Sequence, residues 1–398
     1  MELLKVNFLG FNLINPFVLA SAPPTKDYDT IKKAFELGWA GVITKSIVID
    51  GLRDKTPRIG HLKYKNKIIA TQNFEMGTEH SVSQWMEWVK LLRQEYPDRL
   101  IYVSLFASSN IDDWKTLASS CLNTGIQGLE LNFSCPHSDH NGKGSVIGQN
   151  EELCAEITSE VKKVVGNELK IMPKLPYLVH PNESHICKFL IEAGADAFAA
   201  INSIAGLCEF DIYNMQPKLN VGGKTTAGGI TYDAIRPFGR LIVANIANAV
   251  DPKKYPISAT GGVSRKIESM IEYFSLGANH LQVCSEAMNY GLEVIDEMKN
   301  NLTSYLNETG KTLDEIRGCA LPKVVSWDKL DKITRTAQII EGNCTKCYDC
   351  TTFCMYNAIS VTKGSVPKID ANACEGCGSC YAACTKDSIA LNELSLNV

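Results

Sequence analysis

Eight cysteines near the end of the chain have a spacing that suits metal binding. They form two runs with equal intervals, Cys344-x₂-Cys347-x₂-Cys350-x₃-Cys354 and Cys374-x₂-Cys377-x₂-Cys380-x₃-Cys384. The remaining seven of the 15 cysteines are scattered between Cys121 and Cys319. The first residues show no secretion signal, and clustered cysteines in such a chain indicate metal ligands rather than disulfides.

The doubled run is typical of two-cluster bacterial ferredoxins, in which the fourth cysteine of each run ligates the cluster of the other run. It predicts one [4Fe–4S] cluster on Cys344, Cys347, Cys350 and Cys384, and a second on Cys374, Cys377, Cys380 and Cys354. Zinc is the alternative, because C-x₂-C pairs also suit a tetrahedral site. Met355 and Thr385 replace the usual prolines, which we expect to alter local packing or the cluster potential without loss of a cluster. Such clusters move single electrons, so the rest of the chain should hold a redox cofactor.

The longer part of the chain alternates between strand and helix patterns. The predicted strands are Phe17–Ser21, Gly41–Lys45, Ile101–Phe106, Leu129–Phe133, Lys170–Leu175, Ala197–Asn202, Ile257–Thr260 and His280–Cys284. Helical patterns lie between them, and Asn150, Asn182 and Ser264 are predicted N-caps. Eight strand–helix units in series predict a (β/α)₈ TIM barrel, with an open doubly wound sheet as the alternative.

Polar residues and long connections follow the predicted strands, which favours the barrel. Lys45, Asn132, Lys174, Asn202, Thr260 and Ser285 stand at or just after strand ends. Barrel enzymes carry their chemistry on this face. The connections Ile47–Ser81, Ser134–Gln149 and Ser203–Thr231 are predicted loops on the same face. Residues Leu3–Phe8 and Phe11–Ile14 are predicted to form a hairpin under the barrel floor.

The chain therefore divides into three predicted segments. Residues 1–309 form the barrel, 310–341 a helical linker running over it, and 342–398 a ferredoxin-like domain with two clusters. Forty basic and 44 acidic residues give a net charge of −4, which argues against a general nucleic-acid binder. No apolar run is long enough to span a membrane, and we expect a cytoplasmic protein.

Glycine patterns argue against a nucleotide site on this chain but favour a phosphate site. The run Gly142 to Gly148 misses the G-x-G-x-x-G spacing by one residue, and Lys218 stands where a P-loop needs its first glycine. By contrast, Thr260-Gly261-Gly262 and Cys284-Ser285 end the last two strands, where barrel enzymes often bind phosphate. An ordinary glycine turn is the alternative.

The barrel resembles the dihydroorotate dehydrogenase/dihydropyrimidine dehydrogenase superfamily, whose members carry FMN. The closest likeness is to the flavin and iron–sulfur part of dihydropyrimidine dehydrogenases, and it covers essentially the whole chain. The matching stretches are Asn15–Ala22, Gly38-Trp39, Thr44-Lys45, Asn132–His137, Ala234–Pro237, Thr260–Gly262, Leu281–Ser285 and the cysteine runs.

This resemblance implies roles for residues at the strand ends. The residues that would hold FMN are Ser21, Lys45, Ser46, Lys174, Thr260, Gly261, Gly262, Cys284 and Ser285. A lysine near the flavin would stabilise the reduced ring; a plain salt bridge is the alternative for Lys174. Asn73, Asn132, Asn202 and Ser203 would bind the substrate, because amides suit the N–H and C=O edge of a pyrimidine.

Cys135 is the catalytic candidate. Flavin N5 would exchange a hydride with C6 of the ring, while the Cys135 thiol exchanges a proton at C5. Some branches of the superfamily use a serine for this step, so a cysteine argues against those branches. The chain departs from the family at Thr231-Tyr232-Asp233, where a Ser-Gly pair is usual; we expect Tyr232 to reshape the pocket.

The sequence thus predicts an oxidoreductase that acts on the C5–C6 bond of uracil or thymine. Electrons would pass between FMN, the two clusters and a partner subunit carrying FAD and an NAD(P) site, in an oligomeric complex. A dihydroorotate dehydrogenase is the first alternative, although no basic residue is apparent for the orotate carboxylate. A non-catalytic electron-transfer subunit is the second, and an RNA-modifying barrel is disfavoured by the acidic balance.

Overall fold

The computed structural model of the chain describes residues 2–51, 53–133, 147–178, 183–331, 333 and 335–393. They divide into two units, Met1–Val324 and Val325–Val398. The predicted linker, 310–341, contributes to both units: the helix Leu313–Ile316 lies in the first and the strand Arg335–Ile339 in the second. Among the described residues, no helix is both long and apolar enough to cross a membrane.

The strands of the first unit build a closed barrel with additions at both ends. They are β1 (Val6–Phe8), β2 (Phe11–Leu13), β3 (Phe17–Leu19), β4 (Gly41–Ile43), β5 (Ile59–Tyr64), β6 (Lys67–Asn73), β7 (Leu100–Leu105), β8 (Gly128–Asn132), β9 (Lys170–Leu175), β10 (Phe198–Ala200), β11 (Ile204–Gly206), β12 (Phe210–Asp211), β13 (Gln216–Pro217), β14 (Gly228–Thr231), β15 (Ile257–Ala259) and β16 (Ala278–Val283). Strands β3, β4, β7, β8, β9, β10, β15 and β16 close the barrel in chain order, each parallel to its neighbours. The predicted (β/α)₈ barrel is confirmed.

Helices follow the barrel strands and cover their outer faces. They are α1 (Tyr28–Glu36), α2 (Val82–Glu95), α3 (Ile111–Ser120), α4 (Glu151–Val165), α5 (Glu183–Glu192), α6 (Arg236–Ala249), α7 (Ile267–Ser275), α8 (Ser285–Tyr290), α9 (Val294–Thr309) and α10 (Leu313–Ile316). Trp39, Trp85 and Trp114 are fully buried between these layers. The core is thus filled by large apolar side chains between strands and helices.

Two of the predicted N-caps fall on described residues, and one is correct. The Asn150 side chain accepts a hydrogen bond from the backbone N–H of Leu153 at 2.9 Å and caps α4. The prediction for Ser264 is wrong, because α7 begins two residues later with Lys266 as its N-cap. Ser264 instead donates its backbone N–H to Oγ of Ser269 at 3.0 Å. Asn182 lies outside the described residues.

A hairpin closes the floor of the barrel, as predicted. Strands β1 and β2 pair in antiparallel fashion. Asn279, near the start of β16, donates its side-chain amide to the backbone oxygen of Asn7 at 2.9 Å. The Phe8 ring meets the His280 ring edge-on, with centroids 4.5 Å apart. The hairpin therefore shields the inner end of the barrel from water.

The long connections at the other end contain a sheet that the sequence did not predict. Strands β11, β14, β6 and β5 form an antiparallel sheet from two segments about 150 residues apart in the chain. Thr71 of β6 pairs with Thr231 of β14, and Asn73 with Gly229. The prediction of plain loops was wrong because this pairing is non-local and its glycines are weak strand formers.

His280 gives the barrel a testable dependence on pH. Burial lowers the pKa of His280 to about 3, against about 6.5 in an unfolded chain. Between these values the unfolded chain binds a proton that the folded chain does not, so the free energy of unfolding falls as the pH is lowered. We expect His280 to account for a loss of about 2 kcal/mol between pH 7 and pH 5.

Urea unfolding followed by tryptophan fluorescence at both pH values measures this loss. In the variant His280→Gln the loss should be smaller by that amount. Equal losses in the variant and the parent protein would show that His280 titrates normally in the folded state.

The second unit is small and internally repeated. It contains β17 (Arg335–Ile339), β18 (Ile359–Ser360), β19 (Lys368–Ile369) and β20 (Ile389–Glu393), with the short helices α11 (Asp349–Phe353) and α12 (Ser379–Ala383). Strand β17 pairs with β20, and β18 with β19, both antiparallel. Its hydrophobic core is a small cluster of three buried residues, Ala337, Cys380 and Ile389. So small a core usually needs disulfides or metal for stability.

Candidate functional site

Two adjoining cavities lie at the carboxyl ends of the barrel strands. Both are lined by Ser21, Asn202, Ser203, Thr231 and Cys284. Every described residue predicted to bind FMN or substrate lines one or both of them: Ser21, Lys45, Ser46, Asn73, Asn132, Lys174, Asn202, Ser203, Thr260, Gly261, Gly262, Cys284 and Ser285.

A chain of hydrogen bonds fixes the amides in the first cavity. Asn202 donates its side-chain amide to Oδ1 of Asn132 at 3.1 Å, and Asn132 donates to Oγ of Ser46 at 3.0 Å. Ser46 Oγ lies 2.9 Å from Oγ of the fully buried Ser104 and 3.2 Å from Oγ of Ser21. Ser104, which was not predicted from the sequence, is the fully buried end of this series of hydrogen bonds.

Four charged side chains form a cluster beside the first cavity, and Lys45 and Glu75 of this cluster line it. Lys45 forms ion pairs with Glu75 and with Asp54, the latter at 3.0 Å, and Arg58 pairs with Glu75. Asp54 also accepts the backbone N–H of Met76 at 2.8 Å. Glu75 lines the cavity and was not predicted from the sequence. The positive charge of Lys45 is thus largely balanced.

Lys174 lies in the second cavity and is buried. Its Nζ is 3.1 Å from Oε1 of Gln282 and 3.3 Å from Oε1 of Glu130. The salt bridge considered as the alternative is therefore present, and it coexists with a position on the cavity wall. A protonated lysine here offers a positive charge to a ligand in a poorly solvated site.

The turn at the end of β15 requires glycine at its second position. Gly262 has a φ of +79°, and a Cβ there would lie 2.6 Å from Cβ of Arg236 and 2.8 Å from the backbone oxygen of Tyr232. Only glycine fits such a conformation and such close packing. The turn therefore presents its backbone to the second cavity in one fixed conformation.

Tyr232, at which the chain departs from the family pattern, has an unusual backbone conformation. It is buried, with a φ of +75°, in the left-handed region where glycine is favoured. Tyr232 and Gly262 both line the second cavity. Burial and the neighbouring Glu286 carboxylate raise the pKa of its hydroxyl, so it stays protonated. Tyr232 therefore contributes a neutral side chain at pH 7, and its effect on the pocket stays a prediction.

Cys284 and Cys135 are the two cysteines predicted at the barrel mouth. Burial raises the pKa of the Cys284 thiol to about 11, so Cys284 is a neutral wall residue at pH 7. Cys135 lies outside the described residues, as does the rest of 134–146. The structure describes the chain up to Phe133, one residue after Asn132 at the end of β8.

In the second unit the eight cysteines surround two cavities. One is lined by Cys344, Cys347, Cys350 and Cys384, and the other by Cys354, Cys374, Cys377 and Cys380. Each cavity therefore receives three cysteines from one run and one from the other. Of the described residues, no three His, Cys, Asp or Glu side chains converge as they would on a single metal ion.

The model of the dihydroorotate dehydrogenase family matches residues 3–306. The chain belongs to the dihydroorotate dehydrogenase family. Because this is a family of dehydrogenases, the prediction of an oxidoreductase is confirmed.

Three known proteins are similar to this chain over most of its length. The NAD-dependent dihydropyrimidine dehydrogenase subunit PreA of Escherichia coli is 29% identical over 386 residues, 96% of this chain and 85% of that protein. The chloroplastic dihydropyrimidine dehydrogenase (NADP(+)) of Arabidopsis thaliana is 30% identical over 351 residues, 84% and 80% respectively. The catalytic subunit of dihydroorotate dehydrogenase B (NAD(+)) of Thermoplasma volcanium is 28% identical over 325 residues, 81% and 100%. The resemblance to dihydropyrimidine dehydrogenases is confirmed.

Proposed function

We propose that the chain is a dihydropyrimidine dehydrogenase subunit that interconverts uracil or thymine and the 5,6-dihydro form. The observation that carries this proposal is the composition of the first cavity. Asn73, Asn132, Asn202 and Ser203 line it with amide and hydroxyl groups, and these match the alternating N–H and C=O groups of a neutral pyrimidine. The names of the PreA and Arabidopsis relatives support the same substrate class.

The cavity charges favour a neutral ring over orotate. Of the described residues that line the cavities, the cationic ones are Lys45 and Lys174. Lys45 contacts the carboxylates of Asp54 and Glu75, and Lys174 contacts that of Glu130. An added substrate carboxylate would have to compete with these partners and would be repelled by Glu75. A dihydroorotate dehydrogenase is therefore the less favoured function.

The residues around the second cavity suit FMN. The backbone of Gly261 and Gly262 and the hydroxyls of Thr260 and Ser285 would hold its phosphate, and Lys174 would face the ring. When bound, FMN supplies the hydride chemistry at C6 of the pyrimidine. Lys45, Ser21, Ser46 and Cys284 complete the proposed cofactor site. The asparagines orient the substrate, and the Cys135 thiol exchanges the proton at C5.

The second unit, with its eight clustered cysteines, would carry electrons away from the barrel. Two [4Fe–4S] clusters on the crossed cysteine sets fit the two cavities of the second unit, and clusters of this type transfer single electrons. The sequence has no dinucleotide motif, and the related PreA protein is named as a subunit. We infer a partner subunit that carries FAD and an NAD(P) site, within a larger oligomer.

Substrate discrimination tests the proposed activity. The purified chain is assayed with dihydrouracil, dihydrothymine and dihydroorotate, using a dye as the electron acceptor. We expect kcat/KM for dihydrouracil or dihydrothymine to exceed that for dihydroorotate by at least about 100-fold, which is about 2.7 kcal/mol. Preference for dihydroorotate would contradict the proposal, and turnover of none of them with FMN bound would support a non-catalytic electron-transfer subunit.

The crossed ligation gives a separate prediction. Cys384→Ala should abolish the cluster held by Cys344, although the two residues belong to different runs. The iron content should fall by about half, and the remaining electron paramagnetic resonance signal should equal that of Cys344→Ala. Cys319→Ala, at an exposed cysteine outside the runs, serves as the control with full iron. A residual signal equal to that of Cys374→Ala would show that each run holds its own cluster.

A further inference from the structure

A row of polar side chains lies inside the barrel beneath the two cavities. Glu130 of β8, Ser258 of β15 and Gln282 of β16 are each fully buried. Barrel interiors are normally filled by branched apolar residues, and an ionised carboxylate is costly to bury without a partner. The position of Glu130 therefore requires an explanation.

The contacts of Glu130 lead directly to the second cavity. Its Oε1 lies 3.3 Å from Nζ of Lys174, and its Oε2 accepts a hydrogen bond from Nε2 of Gln282 at 2.8 Å. The same Gln282 accepts from Lys174 through Oε1 at 3.1 Å. Lys174, Glu130 and Gln282 thus form a closed triangle that fixes the Lys174 ammonium in one place.

The other end of the row adds no charge. Gln282 donates to Oγ of Ser258 at 3.0 Å, and Ser258 Oγ lies 2.7 Å from Nε2 of His280. His280 is neutral at pH 7, because burial lowers its pKa to about 3. The described row therefore carries one positive charge, on Lys174, and one negative charge, on Glu130. The electrostatic potential at a ligand in the second cavity therefore depends on how much of the positive charge of Lys174 is offset by Glu130.

We propose that Glu130 is a positioning residue that holds Lys174 at the second cavity and partly neutralises it, thereby lowering the reduction potential of the bound flavin. This inference rests on the proposed function, since it requires FMN in that cavity. A flavin ring gains negative charge on reduction, and an uncompensated Lys174 would favour the reduced form more strongly. Removing the charge of Glu130 should therefore make reduction easier.

The variant Glu130→Gln tests this directly, because it keeps the shape of the side chain and one of its two acceptor oxygens but removes its charge. We expect the midpoint potential of bound FMN to rise by at least 30 mV, which is a tenfold change in the equilibrium of a two-electron couple. The control is Glu183→Gln. Glu183 is also a buried carboxylate, but it lies on α5 outside the barrel and lines neither cavity, so its potential should equal that of the parent protein.

Each outcome separates this inference from the proposed function. A parent protein that binds no FMN would overturn both. A parent protein with FMN, and a Glu130→Gln variant whose potential is unchanged or lower, would overturn only the role of Glu130.

If Glu130→Gln does not fold, Lys174→Met is compared with Lys174→Met/Glu130→Gln, in which no buried charge is left unpaired. The double variant should have the higher potential, and equal potentials would overturn the inference.

Discussion

Replacement of Cys135 by alanine is expected to lower kcat for dihydropyrimidine oxidation by about 10²- to 10⁴-fold, the usual contribution of a general acid or base. The physical reason is that the reaction breaks two bonds to hydrogen. A hydride leaves C6 and a proton leaves C5, and the Cys135 thiolate is the proposed acceptor of that proton. Content of FMN and iron should be unchanged, because Cys135 belongs to neither proposed cofactor site. Steady-state kinetics with a dye acceptor measure the change.

A matched control is available for this cysteine. Cys208 is a partly buried cysteine whose backbone N–H donates to Gln72 and which lines neither cavity. Cys208→Ala should therefore keep near-normal turnover. Dihydropyrimidine deuterated at C5 should show an isotope effect on kcat that grows in Cys135→Ser, in which proton transfer is harder. Normal turnover by Cys135→Ala would show that another residue handles the proton.

Replacement of Gly262 by valine is expected to produce a protein without flavin. A β-branched residue at a φ of +79° is strongly disfavoured, and its Cβ would overlap Arg236 and the backbone of Tyr232. The turn would have to move, and its backbone N–H groups would no longer face a phosphate. The affinity for FMN should fall by at least about 100-fold, which is about 2.7 kcal/mol. Titration of the flavin-free protein with FMN gives the dissociation constant.

Gly125→Val separates loss of the site from backbone strain. Gly125 has a φ of +80°, but a Cβ there would meet no atom within 4 Å. This variant should lose some stability and still bind FMN as tightly as the parent protein. Equal FMN affinity in Gly262→Val and Gly125→Val would mean that the turn after β15 does not hold the cofactor.

The barrel and most of the cavity wall were predictable because they follow short-range rules. Each parallel strand leaves its last polar residue on one face of the barrel, so Lys45, Asn132, Lys174 and Asn202 could be placed together from their positions in the sequence. The intervals of the cysteines predicted that three of one run lie with one of the other, and this grouping is found around the two cavities of the second unit. Their ligation of clusters stays a prediction. Local spacing thus carried both results.

Residues whose importance depends on distant partners were not predictable. Glu75 follows a strand whose partner, β14, comes about 150 residues later, and no local pattern indicates that pairing. Glu130 lies within an apolar strand pattern, and only the closure of the barrel brings it to Lys174 and Gln282. Ser264 failed as a cap because the Ser269 side chain holds that turn instead. Tertiary contacts decided each of these cases.

The central claim is that the pyrimidine half of the reaction takes place on this chain alone. The most direct test is to add dihydrouracil or dihydrothymine anaerobically to the isolated chain and to follow the visible absorbance of its flavin. We predict that the flavin bleaches with either compound and not with NADH, which would need the partner subunit. Bleaching by dihydroorotate alone, or no bleaching by any dihydropyrimidine with FMN and iron present, would contradict the account.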